Sequence, residues 1–218
     1  MFSFCFLVHN EGKDYLSKLF EGMYKTLKDD EEIIICDDNS TEETTISYLN
    51  ELKELNDDRI KFYTHSLNND FAAHKNFLIS KCSKEYVFLM DADESLTFEQ
   101  YEAIRKFVNE HKNNDMFSLH RTNLLTDITP DNYDILEVFK PYKNKVINEN
   151  TVQVVINCYQ MRIWKNNCGI SYRNKVHEMQ AGYKNPINVP ETVASILHKK
   201  SCTRQKAQAN FYKQIIKN

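Results

Sequence analysis

Three carboxylates fall within four positions at Asp91-Ala92-Asp93-Glu94, directly after the apolar run Val87-Phe88-Leu89-Met90. Like charges at that spacing repel unless a cation sits among them. Two other apolar runs end in the same manner. "FSFCFLV" (2–8) runs into His9-Asn10-Glu11, and "EEIIICDD" (31–38) runs into Asn39-Ser40.

Three chemistries compete for Asp91 and Asp93. Strand-end acids can simply meet water, although acids closing several strands together make that reading strained. An apolar strand followed by D-x-D-x-S/T also places the nucleophile of haloacid-dehalogenase-type phosphatases, with Asp91 attacking phosphorus and Asp93 as acid/base. That match is local, because three complete β-α units precede it. The third chemistry is a hard divalent cation, Mg²⁺ or Mn²⁺, which joins few carboxylates with substrate phosphates. Two Asp at i and i+2, where a strand runs out, can divide a metal and a ribose between them while a nucleoside diphosphate completes the shell. A calcium loop is excluded: Asp91, Asp93, Ser95, Thr97, Glu99 and Glu102 have the spacing, but Leu96 stands where the loop needs Gly.

The elements that must position these acids alternate regularly. Strands are expected over 2–8, 31–38, 59–65, 85–91 and 115–121. Between them, helical spacing of apolar residues marks Tyr15–Leu27, a helix opened near Thr41, residues 71–82, and 97–111 capped by Thr97. A β-α-β order with fully apolar strands implies an α/β fold, a largely parallel sheet with helices on both faces. Ligands of such sheets bind outside the carboxyl ends of the strands, which is where the acids collect.

After residue 121 the periodicity changes, and two halves of one continuous domain are expected, 1–121 and 122–218. "TNLLTDITPDNYDILEVFKPYKNKVINEN" reads as a long loop or lid. "TVQVVINCYQMRIWK" and "GISYRNKVHE" read as extended segments joined by a turn at Asn166–Gly169, and a short strand through "ETVASILHKK" precedes a last helix over 203–217.

Composition narrows the class. The 218 residues are 41% hydrophobic and 27% charged, and a net charge of −3 provides no broad field for nucleic acid or anionic membrane. The cysteines are scattered without paired spacing and read as reduced thiols, which points to the cytoplasm. The N-terminal apolar run lacks a basic flank and is too short to span a bilayer.

The four stretches "FSFCFLVHNEGKDYLSKLF", "EEIIICDDNSTEETTISYL", "RIKFYTHSLNNDFAAHKNFLI" and "EYVFLMDADESL", in that order, resemble the nucleotide-binding half of a family 2 glycosyltransferase of the GT-A fold. "MRIWKNNCGISYRNKVHEMQ" is similar to a segment ending in His-Glu in bacterial envelope-sugar transferases of the lipopolysaccharide core type. The resemblance implies a GT-A sheet with a smaller acceptor-side extension. It also implies that His9 lies by the nucleobase, where the family often has an aromatic residue, and that Asp38 accepts a hydrogen bond from the base. Lys75 sits where the family commonly has Arg, keeping the charge but losing the planar fork. Asp91 is implied to approach ribose and metal, Asp93 to bind Mn²⁺ or Mg²⁺ directly, His177 to be a further ligand, and Glu178 to be the catalytic base, with Asp131 and Asp134 as rivals.

The expected reaction is transfer from a nucleotide sugar, UDP-linked through the Asp38 argument, to an acceptor hydroxyl, with inversion implied by the resemblance alone. The acceptor is expected to be a glycan or lipid-linked saccharide. A modified base of viral DNA is the alternative, and a sugar-nucleotide-binding module without turnover is a further one. The basic run Lys199, Lys200, Arg204, Lys206, Lys213 and Lys217 reads as a solvated helix face, or else as a contact for phosphates of nucleic acid or of a membrane surface.

Overall fold

The computed structural model describes residues 1–129, 143–148 and 151–217, with side chains described for 1–129 and 159–215. The chain runs β1 (Phe2–Val8), α1 (Lys13–Thr26), β2 (Glu32–Asp37), α2 (Glu43–Glu54), β3 (Ile60–Thr64), α3 (Phe71–Ile79), β4 (Tyr86–Leu89), β5 (Glu94–Ser95) and α4 (Phe98–Glu110). It continues through β6 (Met116–Thr126), β7 (Lys143–Asn148), β8 (Thr151–Lys165), β9 (Ser171–Arg173), β10 (Met179–Ala181), β11 (Pro186–Asn188), β12 (Ser195–Ser201) and α5 (Cys202–Lys217).

Strict alternation in the first strands explains the layering, because successive side chains of a strand point to opposite faces. Phe2, Phe4, Phe6 and Val8 of β1 join Ile33 and Ile35 of β2 and Tyr86, Phe88 and Met90 in one core, which α1, α2 and α4 cover. Cys5, Ile34, Cys36, Val87 and Leu89 point the other way, onto α3 with Trp164 and Tyr172. Buried on both faces, these strands have to be apolar throughout, as they are.

The sheet order is β3-β2-β1-β4-β8-β6-β12-β5, with β11 beside β6 and β7 beside β8. The first four strands are parallel, as expected. The fifth strand departs from expectation: β8 runs antiparallel between β4 and β6, so the sheet is mixed. Apolar alternation shows that a segment is extended but not which neighbour it pairs with, and that is why β8 could not be oriented from sequence. The expected break at 121/122 falls inside β6, which continues to Thr126, so both halves share that strand. Within the expected loop, residues 143–148 form β7, while Asp131 and Asp134 lie outside the described residues.

Local chemistry sets the loops at the carboxyl edge. With only 4 Gly in the chain, Asn takes the left-handed turns there: Asn10, Asn39, Asn68 and Asn69 have φ of 58°, 50°, 48° and 59°, a region Asn tolerates better than most residues. Helix α2 is capped one residue later than expected, by the Glu42 carboxylate, which accepts from the Thr45 amide at 2.6 Å. Helix α4 has the expected Thr97 cap, completed as a capping box by Gln100.

The opposite edge is stapled by Glu32, whose carboxylate is buried. It accepts from Ser3 of β1 at 2.6 Å, from Lys61 of β3 at 2.6 Å, and from the Ser83 amide ahead of β4 at 2.6 Å. Burial pushes its pKa up, but the Lys61, Ser3 and Ser83 hydrogen bonds outweigh burial and hold it at about 2, below the ordinary 4.5. A carboxyl depressed by folding contributes stability that is complete above the unfolded value and is lost as pH falls through the folded one. The contribution of Glu32 should therefore be full above pH about 4.5 and drain toward pH about 2. Urea unfolding of wild type and Glu32→Gln should show a larger gap in stability at pH 7 than at pH 3; an equal gap would mean that the ionised form is not what holds these strands.

Candidate active site

A cavity of about 910 Å³ opens at the carboxyl edge, walled by the ends of β1, β2 and β4, by α3, by β6 and β12, and by α5. His9, Asp38, Lys75, Asp91, Asp93 and Glu178 all line it, so side chains up to 169 positions apart in sequence meet there. His177 does not figure among the described lining residues. It is exposed, with φ of 54°, and its ring stands edge-on to Tyr212 at 5.9 Å.

The cations demanded by Asp91, Asp93 and Glu94 come from the protein itself. Arg162 of β8, almost fully buried, donates through Nη2 to Asp91 Oδ2 at 2.5 Å and to Glu94 Oε1 at 2.5 Å. Arg121 of β6 reaches the same Glu94 oxygen at 3.3 Å. Lys75 of α3 lies 3.9 Å from Asp91 Oδ1 and 2.6 Å from Glu178 Oε1, with its ammonium over the Tyr172 ring. Burial pushes the Asp91 carboxyl up, yet Arg162, Lys75 and Arg121 hold it far below the usual carboxylate range. Glu94 turns the chain: its amide donates to Asp91 O, its carboxylate accepts from the Asp91 amide, and β5 pairs with β12 from the same residue.

That pairing delivers His198 and Lys200, which share one face of β12. His198 Nε2 lies 3.3 Å from Asp93 Oδ1, and Lys200 Nζ lies 3.7 Å from Asp93 Oδ2 while donating to Gln208 of α5. Burial pushes the Asp93 carboxyl up, but His198 and Lys200 bring it below its ordinary value. Glu11 accepts from Arg204 of α5 at 3.1 Å, and burial pushes its pKa up. Among the described residues no cluster of three His, Cys, Asp or Glu side chains could hold a metal ion. Two groups do fit one. His198 Nδ1–H donates to Asn123 Oδ1 at 2.7 Å, which turns the Nε2 lone pair toward Asp93 Oδ1; that approach requires a proton or a cation between them. A divalent ion there would take Asp93 and His198 from the protein and its remaining ligands from water or substrate oxygens.

The other end of the cavity is built by the turns after β1, β2 and β3. Asp38 Oδ1 accepts from the Leu67 amide at 2.7 Å, and His9 Nδ1 donates to Asp38 O at 2.8 Å. His74 of α3 lines this end, buried, with its Nδ1 2.9 Å from His65 Nδ1.

Sequence reading missed Arg162, Arg121, His198 and His74. Lys200 and Arg204 were assigned to a solvated basic run, but strand alternation turns Lys200 inward, almost fully buried, while Lys199 stays exposed. Arg204 faces the cavity from the first turn of α5. A charge inside an otherwise apolar strand, as in Met161-Arg162-Ile163-Trp164, and polar residues at i and i+2, as in His198 and Lys200, were the available signs.

The sequence profile of the family described as Glycosyl transferase family 2 matches residues 3–165. Among solved structures, S. aureus TarS 1–349 superimposes with a TM-score of 0.61 at 14% identity, covering 91% of this chain and 60% of that one. Its complex with UDP gives 0.61 at 14% identity over 92% and 60%, and its complex with UDP-GlcNAc gives 0.59 at 14% over 91% and 58%. The chain thus spans about 60% of the TarS 1–349 length, and at this identity the likeness is one of fold. No curated protein sequence matches the chain. The family match spans Asp91-Ala92-Asp93 and is to a glycosyl transferase, not a phosphatase; Asp91 itself is held by Arg162.

Because both acids held by Arg162 depend on it, Arg162→Met should cost about 3–5 kcal/mol, the usual result of stranding buried charge. Urea unfolding measures this. The double variant Arg162→Met, Glu94→Gln should recover part of the loss, and no recovery would show that Arg162 acts through packing alone.

Proposed function

The chain belongs to glycosyl transferase family 2, and from that we propose that it transfers a sugar from a UDP-linked donor to an acceptor hydroxyl. The observation that carries this reading is the shape of the charge in the cavity. Asp38 stands at one end, and Asp91 and Asp93 stand among Lys75, Arg121, Arg162 and Lys200 at the other. A nucleobase at the first end puts a diphosphate at the second. The common fold with a protein crystallised with UDP and with UDP-GlcNAc supports the same class of donor.

In this reading Asp38 accepts the imide N–H of uracil, Asp91 faces the ribose, and Asp93 with His198 holds Mn²⁺ or Mg²⁺. When bound, the metal offsets charge developing on the departing diphosphate. Two further donors are buried without a protein partner, Arg121 Nε and Asn123 Nδ2, and both residues line this end of the cavity. Glu178 takes the proton of the attacking hydroxyl as general base, with Lys75 fixing its orientation at 2.6 Å; the anomeric centre inverts in a single displacement.

The acceptor in this reading is a glycan or lipid-linked saccharide. Lys200 and Arg204 turn into the cavity, which leaves less of the basic run on the outer surface for DNA phosphates. No helix among the described residues is long and apolar enough to cross a membrane.

Thermal unfolding with nucleotide sugars, with and without Mn²⁺, tests the donor: a UDP-sugar should raise the midpoint more when Mn²⁺ is present, in proportion to occupancy. Asp93→Asn should abolish the Mn²⁺-dependent part, and a midpoint indifferent to every nucleotide would overturn the reading. Glu178→Gln should lower kcat by about 10²–10⁴-fold while donor affinity stays within about threefold; near-normal turnover would remove Glu178 as the base.

A further inference from the structure

Two imidazoles share a hydrogen bond beside the nucleobase end of the cavity. His65 and His74 meet Nδ1 to Nδ1 at 2.9 Å, edge to edge with centroids 5.2 Å apart and ring planes 25° apart, and Phe77 stacks on a face of His65 at 4.1 Å and 19°. His74 is 2% exposed and still lines the cavity. Among the described residues nothing in the protein meets its Nε2, and that nitrogen is not one of the sealed, partnerless atoms. It therefore opens into the cavity. Burial, with His65, His9 and Lys75 adding to it and Asp38 opposing, pushes the His74 pKa down, which keeps the ring neutral at neutral pH.

A bond between two neutral imidazoles contains one proton, so the two rings are opposite tautomers. If His65 donates, the proton of His74 is on Nε2 and faces the cavity. If His74 donates, a lone pair faces it. The Asp38 carboxylate is the negative group acting on His74 and lines the same end, so its field favours the N–H directed into the cavity.

We infer that His74 is a specificity-determining residue of the donor site, giving its Nε2–H to a ring carbonyl of the nucleobase while Asp38 accepts the adjacent ring N–H, with His65 as the positioning residue that holds the tautomer. The inference rests on the donor reading above. The edge so recognised is an N–H beside a carbonyl, shared by uracil and guanine. Cytosine and adenine present the reverse, a lone pair beside an amino group, and would set lone pair against carboxylate and N–H against N–H. Asp38 alone rejects them only in part, because a carboxylate also accepts from an amino group. His74 supplies the other half of the discrimination.

Calorimetric titration of wild type, His74→Ala, His74→Gln and His65→Phe with UDP, CDP, GDP and ADP, at fixed Mn²⁺, tests this, with unfolding midpoints checked for each variant. Wild type should prefer UDP to CDP, and His74→Ala should reduce the UDP/CDP affinity ratio on the order of tenfold to a hundredfold, the usual effect of one buried hydrogen bond left unmade. His74→Gln, which keeps an N–H, should retain part of the ratio. His65→Phe, which keeps the stack but not the donor, should lower it without touching ligand. A preference for GDP over ADP in place of UDP over CDP upholds the same edge with guanine as the base. If the variants weaken UDP and CDP by a common factor, or leave the ratio unchanged, His74 is structural and the inference is overturned. If wild type binds no nucleotide at all, the donor reading fails, and that outcome is distinguishable from an unaltered ratio.

Discussion

Arg162 is the group on which the carboxyl edge depends. Asp91 and Glu94 stand three residues apart in a tight turn, where their like charges repel unless a cation lies between them. One guanidinium nitrogen bridges both at 2.5 Å, and its strand is the antiparallel β8 inserted between β4 and β6. Glu94 also pairs β5 with β12, which brings His198 and Lys200 beside Asp93. The insertion of β8 thus supplies the cation that the buried Glu94 carboxylate needs.

The two edges of the sheet use charge differently. At the amino edge the buried charges are held by the fold: Glu32 ties three strands together, and Arg105 is held by Glu31 with Thr26 and Glu102 around it. At the carboxyl edge the charges are balanced but not all consumed. Arg121 Nε and Asn123 Nδ2 are buried without partners, and Asp93 is shared between His198 and Lys200. Lys75, Lys200 and Arg204 line the cavity beside the acids, so cationic groups are in place for a ligand carrying its own negative charge.

The layering of the first half was legible in the sequence because it depends on period and composition alone. Phe2–Val8 came out with the expected bounds, and Thr97 with Gln100 marked a helix start that the side chains complete. The edge at which His9, Asp38, Asp91 and Asp93 gather was legible too, since parallel strands joined by helices must all end on one side. The bounds of α3 and β4 were overrun by a few residues, because propensity does not mark where hydrogen bonding stops. The later strands resisted for another reason: β8 and β12 are extended in either pairing, and only contact with β4, β6 and β5 selects their direction and register.

By itself, then, the sequence determined the alternation of strands and helices, the faces of the early strands, and the side of the sheet on which the acids lie, all properties of neighbours along the chain. Tertiary structure alone decided which cation neutralises which acid. Arg162 is 71 positions from Asp91, Lys75 is 103 from Glu178, and His198 reaches Asp93 only through the pairing of β12 with β5. His177, beside Glu178 in sequence, is exposed and stands edge-on to Tyr212 without being among the described lining residues. Charge pairing acts through space at a few ångströms, and sequence spacing carries no record of it.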